Sequence, residues 1–193
     1  MALDQTGFPI IRTAGIDGML VSFGDRLDEA ANRAAIAFRA EVERAGWEGV
    51  QESASSLVSC YLRFDPLALS HADLEARLRE LMTSRDWLQA DLPIGRRLHR
   101  IPTVYGGALA PQLGEAASEA GLSEPQAVEM LSQARVRVTA LGFAPGQPYL
   151  GLLPEVWNIP RQSALTDKVP KGALVLAIRQ LVLFGVTAPT WRQ

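Results

Sequence analysis

Apolar and polar positions along the first half of the chain divide it into short strands and two amphipathic helices. Met19-Leu-Val-Ser-Phe23 reads as a short strand, and Gly24-Asp25 then opens a stretch in which Leu27, Ala31, Ala34, Phe38 and Val42 recur at three- and four-residue spacing. That spacing gathers the apolar side chains on one face of a helix, and Gly46 is placed to end it. Residues 50–52 and 57–64 read as two more strands, the second carrying Leu57, Val58, Tyr61, Leu62 and Phe64 before Asp65-Pro66 stops it. Ser70 offers its hydroxyl to a free backbone N–H at the start of a second helix, Asp73 suits the first-turn dipole, and Leu74, Leu78 and Leu81 supply the buried face. The order strand, helix, strand, strand, helix predicts an α+β domain over residues 1–90, with both helices on one face of an antiparallel sheet.

Asp91–Gly95 holds a proline and a glycine and precedes a change of character, so a linker is expected there and a second domain over 91–193. Residues 97–104 read as extended. One short helix opens at Pro111 and ends near Gly121, and another is capped by Ser123 with Gln126 three residues on. From Arg135 the period becomes two, with Val136, Val138 and Ala140 expected to face a core and Arg135, Arg137 and Thr139 expected to face water. Residues 172–178 and 181–184 continue the strand content. There is no internal repeat and no low-complexity tract.

The chain has 193 residues, 48% of them hydrophobic, which is enough for one large or two small cores. A formal net charge of -2, from 19 basic and 21 acidic residues, gives no electrostatic reason to expect a nucleic-acid or anionic-membrane partner. A small molecule or another protein fits better. The single cysteine, Cys60, has no internal disulfide partner and lies in an apolar strand, where it reads as a buried inert thiol in a reducing compartment. Met1-Ala-Leu-Asp-Gln5 lacks the basic and apolar runs of a signal peptide, and no window approaches the roughly 18 apolar residues of a membrane span. A cytoplasmic location is expected.

Most catalytic constellations are absent from the sequence. His71, His99 and Cys60 do not make a Cys/His zinc set, so no metal site is expected from them. There is no Gly-x-Ser-x-Gly elbow, and the serines fall where capping explains them. Val169-Pro-Lys-Gly172 lacks the glycine spacing of a phosphate loop and reads as a β-turn with Lys171 solvated. Gly142-Phe-Ala-Pro-Gly-Gln-Pro-Tyr149 stands apart. Its glycines allow close backbone approach, its prolines remove loop entropy, and Tyr149 offers an apolar ring with a polar tip. Composition leaves two readings of this rigid loop open, a ligand contact and a tight barrel corner. Tyr105-Gly-Gly107 poses the same choice, with a glycine turn after a strand favoured by its spacing.

Taken in order, Phe23-Gly-Asp25, Ser55-Ser-Leu-Val58, Phe64-Asp-Pro66, Ile101-Pro-Thr-Val-Tyr-Gly-Gly107, Ala120-Gly-Leu-Ser123, Leu141-Gly-Phe-Ala-Pro-Gly-Gln-Pro-Tyr-Leu150, Pro160-Arg161 and Val169-Pro-Lys-Gly172 resemble the 5-oxoprolinase B-subunit family. That family also holds allophanate hydrolase subunit 1 and the KipI sporulation-kinase inhibitor, and it carries the carboxyltransferase domain of subdomain C and D type. The resemblance implies a small α+β domain followed by a mainly β, cyclophilin-like barrel. It implies a homologous second subunit as partner, ATP with Mg as cofactor, and a cyclic or ureido amide as substrate, opened by phosphorylating the amide oxygen. Such chemistry needs positive charge beside the developing anion in a water-poor pocket. Arg161 is the expected catalytic cation. Tyr105, Gly106, Gly107, Phe143, Pro145, Gly146, Tyr149, Lys171 and Gln180 are the expected substrate or nucleotide contacts.

The sequence also departs from the family. Leu165-Thr166 stands where a second Pro-Arg pair is usual, removing one cationic contact. Ala177-Ile-Arg-Gln-Leu-Val182 carries bulky residues where the family places glycines, which should fill space a ligand or partner would use. The family continues through a Pro-Gly-Gly-Trp segment and further strands, whereas Pro189-Thr-Trp191 is followed by the end of this sequence at Gln193, so an incomplete barrel is expected. These departures keep two alternatives beside the hydrolase subunit. One is a KipI-like regulator that binds a kinase; the other is a barrel redeployed as a stand-alone small-molecule enzyme or binding protein in specialised metabolism.

Overall fold

The computed structural model describes residues 7–190; the readings made at Met1–Gln5 and Trp191 lie outside the described residues. The chain divides into two compact units, Met1–Arg97 and Leu98–Gln193.

In the first unit, β1 (Ile10–Thr13), β2 (Gly18–Ser22), β3 (Val50–Ser56) and β4 (Ser59–Phe64) form an antiparallel sheet in the order β1-β2-β4-β3. On β4, Cys60, Leu62 and Phe64 are buried while Ser59, Tyr61 and Arg63 are half-exposed, the alternation expected of a strand with one core face. Against that face pack α1 (Glu29–Ala45) and α2 (His71–Thr83), whose Ala31, Ala34, Phe38, Val42, Leu74 and Leu78 join one core with Met19, Val21 and Leu62. Phe23, Phe38 and Trp87 stack there, with the Phe38 and Trp87 ring centroids 4.9 Å apart.

The α1 helix begins later than its apolar pattern predicts. Asp28 accepts from the N–H groups of Ala30 and Ala31 at 2.9 and 3.0 Å and so fixes the first turn, leaving Leu27 outside the helix. Gly46, at φ 57°, closes the other end by donating to the Val42 carbonyl. Leu57, expected in a strand, instead sits in the two-residue turn between β3 and β4 at φ 52°. The buried Asn32 of α1 donates to its carbonyl, which ties the turn to the helix.

In the second unit, α3 (Leu113–Glu119) and α4 (Glu124–Gln133) precede β5 (Arg137–Leu141), β6 (Pro148–Gly151), β7 (Thr166–Val169), β8 (Leu174–Ala177), β9 (Gln180–Leu183) and β10 (Ala188–Thr190). The capping box at the start of α4 is complete, with the Ser123 side chain accepting from the Gln126 N–H and the Gln126 side chain accepting from the Ser123 N–H. Trp157, Leu153, Ile159, Leu176 and Leu181 form a core with the two helices. Val169, Ala173, Val175 and Phe184 form a second, smaller one.

Of the expectations for this unit, the incomplete barrel is met only as far as antiparallel sheets, and the faces of β5 are corrected. The cyclophilin-like barrel is not closed among the described residues. The strands separate into a four-stranded antiparallel sheet, β5-β6-β9-β8, and a two-stranded ribbon, β10-β7, with no ladder joining them. Closure requires unbroken pairing around the circumference, and the segment expected as the first strand, 97–104, pairs with nothing. The expected faces of β5 also fail. Thr139 is 5% exposed and Val138 is 49% exposed. A register shift between Val138 and Ala140 leaves Thr139 as the extra residue, turned inward to donate its hydroxyl to the Tyr149 carbonyl at 3.1 Å.

Candidate functional site

The Gly142–Gln147 segment is the loop of the β5–β6 hairpin, closed by the pairing of Leu141 with Pro148. It is held from within: Gly142 N–H donates to the Gln147 carbonyl (3.1 Å), Ala144 N–H to Gly142 (2.8 Å) and Gln147 N–H to Ala144 (3.0 Å). Phe143 at φ 64° and Gly146 at φ 72° take left-handed backbone to make the bends; glycine does this freely, whereas phenylalanine does so at a cost. Its one buried polar side chain, Gln147, accepts from the Gly185 N–H at 3.1 Å through Oε1. The Phe143 ring is 68% exposed, with its centroid 6.2 Å from that of Phe184.

Lys171 reaches the same end of the sheet. Its turn is fixed where Gly172 N–H donates to the Phe184 carbonyl (2.8 Å) and Lys171 N–H donates to Thr187 Oγ1 (3.1 Å). Phe143, Pro145, Gly146 and Lys171 therefore lie exposed on two loops anchored to the single segment 184–187. Tyr149 stands next to them in β6 opposite Val182, with its ring edge 3.9 Å from the place a Cβ on Gly142 would occupy.

The remaining expected contacts are held elsewhere. Tyr105 packs on the core that holds Trp157 and, with Gly106, borders an open cleft of about 470 Å³ floored by Leu113 and Val128. Burial pushes the Tyr105 hydroxyl above the usual tyrosine range, against the opposing pull of a hydrogen bond with Thr103. Gly106 and Gly107 have φ of 93° and 59°, a pair of left-handed positions that explains the two glycines. Arg161 is exposed, and among the described residues no hydrogen bond or ion pair holds its guanidinium. Its neighbour Gln162 is fixed by Gln112 (3.1 Å) and Glu115 (3.0 Å), which anchors the backbone that presents it.

Gln180 opens β9 opposite Ala177, and the turn between them is Ile178-Arg179, with φ of 46° and 63°. A β-branched residue at such a φ is a backbone outlier. Segment 153–159 holds it there: Ile178 and Arg179 donate to the carbonyls of Ile159 (2.8 Å) and Trp157 (3.0 Å), and Leu153 N–H donates to Arg179 (2.9 Å). Arg179 Nε donates to the Leu153 carbonyl at 2.7 Å and its guanidinium pairs with Glu155 at 2.5 Å. Arg179 also borders an open cleft of about 510 Å³, with Met130, Arg135, Val136 and Leu152 among its other walls. The sequence reading overlooked Gln147 and this Arg179–Glu155 lock.

A nucleotide does not fit these residues taken alone. The N–H groups of the Lys171 turn are committed to Thr187 and Phe184 rather than turned out as a phosphate cradle. Both clefts are open, and among the described residues no three His, Cys, Asp or Glu side chains gather to hold a metal ion. No helix among the described residues is long and apolar enough to cross a membrane.

Comparison with known proteins matches residues 9–192 to the family described as carboxyltransferase domain, subdomain C and D. The 5-oxoprolinase B-subunit of Bacillus subtilis is 27% identical over 193 residues, covering 93% of this chain and 78% of that protein. The 5-oxoprolinase B-subunit of Escherichia coli O157:H7 is 42% identical over 93 residues, covering 48% of this chain and 43% of that protein. Among solved structures, TTHA0988 superposes with a TM-score of 0.70 at 30% identity, covering 94% of this chain and 34% of that one. The chain thus spans about a third of the TTHA0988 chain, and the Escherichia coli match covers less than half of either protein.

Proposed function

The chain belongs to the family of the carboxyltransferase domain, subdomain C and D, and on that premise we propose that it is one subunit of a two-subunit, ATP-dependent amidohydrolase acting on a cyclic or ureido amide. The observation that carries this reading is the kinship along nearly the whole chain to a protein named as the B-subunit of 5-oxoprolinase. The site's geometry favours work in a pair. Phe143, Pro145, Gly146 and Lys171 are exposed on loops rather than gathered in a closed cavity, and a second surface laid over them would exclude the water that weakens electrostatic stabilisation.

In this reading the exposed loops meet the partner subunit's surface, and Arg161 supplies positive charge to the oxygen that becomes anionic. Arg161 suits that task because it is not neutralised by a carboxylate among the described residues. ATP and Mg belong to the assembled pair, since the residues of this chain do not fit a nucleotide by themselves.

The test is co-expression with the homologous partner subunit, followed by assay of ATP hydrolysis dependent on 5-oxoproline or a ureido amide. An active pair whose turnover falls about a hundredfold in Arg161→Met, with the complex intact, supports the reading. A stable pair that hydrolyses neither ATP nor any cyclic or ureido amide overturns it, and leaves the regulatory and redeployed alternatives.

A further inference from the structure

Residues 96–104 are nine consecutive exposed positions that run without helix, turn or bend. Among the described residues, the hydrogen bonds of that segment are one from the Thr103 hydroxyl to the Ile101 carbonyl and one between the side chains of Thr103 and Tyr105. Apart from the Ile101 carbonyl, which already accepts from Thr103, its backbone N–H and C=O groups are open to pairing. Leu98 and Val104, 71% and 65% exposed, would share one face of an extended strand with Arg100, and Ile101, 56% exposed, would lie on the other, so uncovered apolar side chains flank the backbone on both faces. Free backbone of this kind, flanked by uncovered apolar side chains, is a template for an added strand.

Charge and chemistry restrict what can pair with it. The run carries Arg96, Arg97 and Arg100 with His99, in a chain whose net charge is -2. Pro102 has no N–H, so the edge formed by even-numbered residues is broken, while the edge formed by His99, Ile101 and Thr103 is intact. A second copy pairing antiparallel about Ile101 on that intact edge would bring its Arg100 diagonally beside Arg100 on the same face, where like charges repel. An acidic strand would instead neutralise it.

We propose that Leu98–Val104 is a docking strand for an extended, acidic segment of a different polypeptide, added along the His99-Ile101-Thr103 edge with carboxylates beside Arg100. The inference goes beyond the amidohydrolase reading and needs neither nucleotide nor amide, so each stands or falls alone.

The full chain is titrated against a fluorescein-labelled peptide of about nine residues alternating valine with glutamate, and against its lysine counterpart, with anisotropy as readout. The glutamate peptide should bind, and its affinity should fall about tenfold between about 50 and about 500 mM salt. Arg100→Glu should reverse the preference to the lysine peptide. Thr103→Pro, which removes an N–H from the intact edge, should abolish binding, whereas Pro102→Ala should leave it within about twofold. All three positions are exposed, and an unchanged far-UV spectrum checks that each variant is folded. Equal binding of both peptides, no binding of either, or indifference to Thr103→Pro would overturn the proposal. So would sedimentation showing that the chain dimerises through this segment and that Arg100→Ala tightens the dimer.

Discussion

Gln147 is the side chain that fixes the Gly142–Gln147 loop to the rest of its unit, and replacing it measures how much the loop depends on that one contact. Gln147→Ala removes a hydrogen bond to the Gly185 N–H, with a net contribution of about 1 kcal/mol. It also removes the packing of a side chain that is 1% exposed, and the lost methylene and residual cavity contribute about 1 kcal/mol more. The total of about 2 kcal/mol corresponds to a fall in Tm of roughly 10 °C for a unit of this size. Thermal unfolding followed by circular dichroism reads that shift, and hydrogen exchange at the Gly185 amide reads its origin. Gln147→Glu separates packing from charge, since the new carboxyl preserves shape and an acceptor oxygen. Burial would raise its native pKa above the ordinary glutamate value of about 4.3. The native state then binds more protons than the unfolded state, so the variant is most stable below pH 4.3, by that rough reference, and loses stability as pH rises through its native pKa. An alanine variant with parental Tm and unchanged exchange at Gly185 would refute the view that Gln147 holds the loop.

Two further predictions concern the first unit. Burial pushes the Cys60 thiol up to about 12, so a thiol reagent at pH about 8 should label it only after the protein opens, giving no fast phase in native buffer and full reaction in denaturant. Rapid native labelling would show that the core around Leu62 and Phe64 is not closed. Asp28→Ala should cost about 1 kcal/mol in urea unfolding by releasing the Ala30 and Ala31 N–H groups, while Asp28→Asn, which keeps an acceptor, should restore most of it; equal losses in both variants would argue against capping.

Legibility followed the range of the interactions. The buried face of α1 was readable because Ala31, Ala34, Phe38 and Val42 repeat within one element, and the Ser70 and Ser123 caps because their partners lie three residues away. The face of β5 was not readable, because the inward turn of Thr139 comes from a register shift created by pairing with β6. A period-two pattern carries no mark of an inserted residue. The displacement of Leu57 into a turn likewise depends on Asn32, 25 residues earlier.

The candidate site divides along the same line. Glycine and proline reveal the Gly142–Tyr149 loop because they act on their own backbone. Gln147 reads in sequence as one more polar loop residue, and only Gly185, 38 positions on, turns it into an anchor. Ile178 and Arg179 carry the point furthest. As side chains in place of glycines they read as an obstruction, yet their backbone takes up a left-handed turn because segment 153–159 supplies three main-chain hydrogen bonds and Arg179 ties itself to Leu153 and Glu155. The turn is thus held by contacts from outside it, at a backbone cost of roughly 1–2 kcal/mol per residue that glycine would not incur. Side chains at these two positions therefore still allow a left-handed turn, while that of Arg179 occupies the border of the neighbouring cleft. The shape of this turn is set by its backbone contacts and its surface chemistry by Ile178 and Arg179, and any function passing through it has to be judged on the second property.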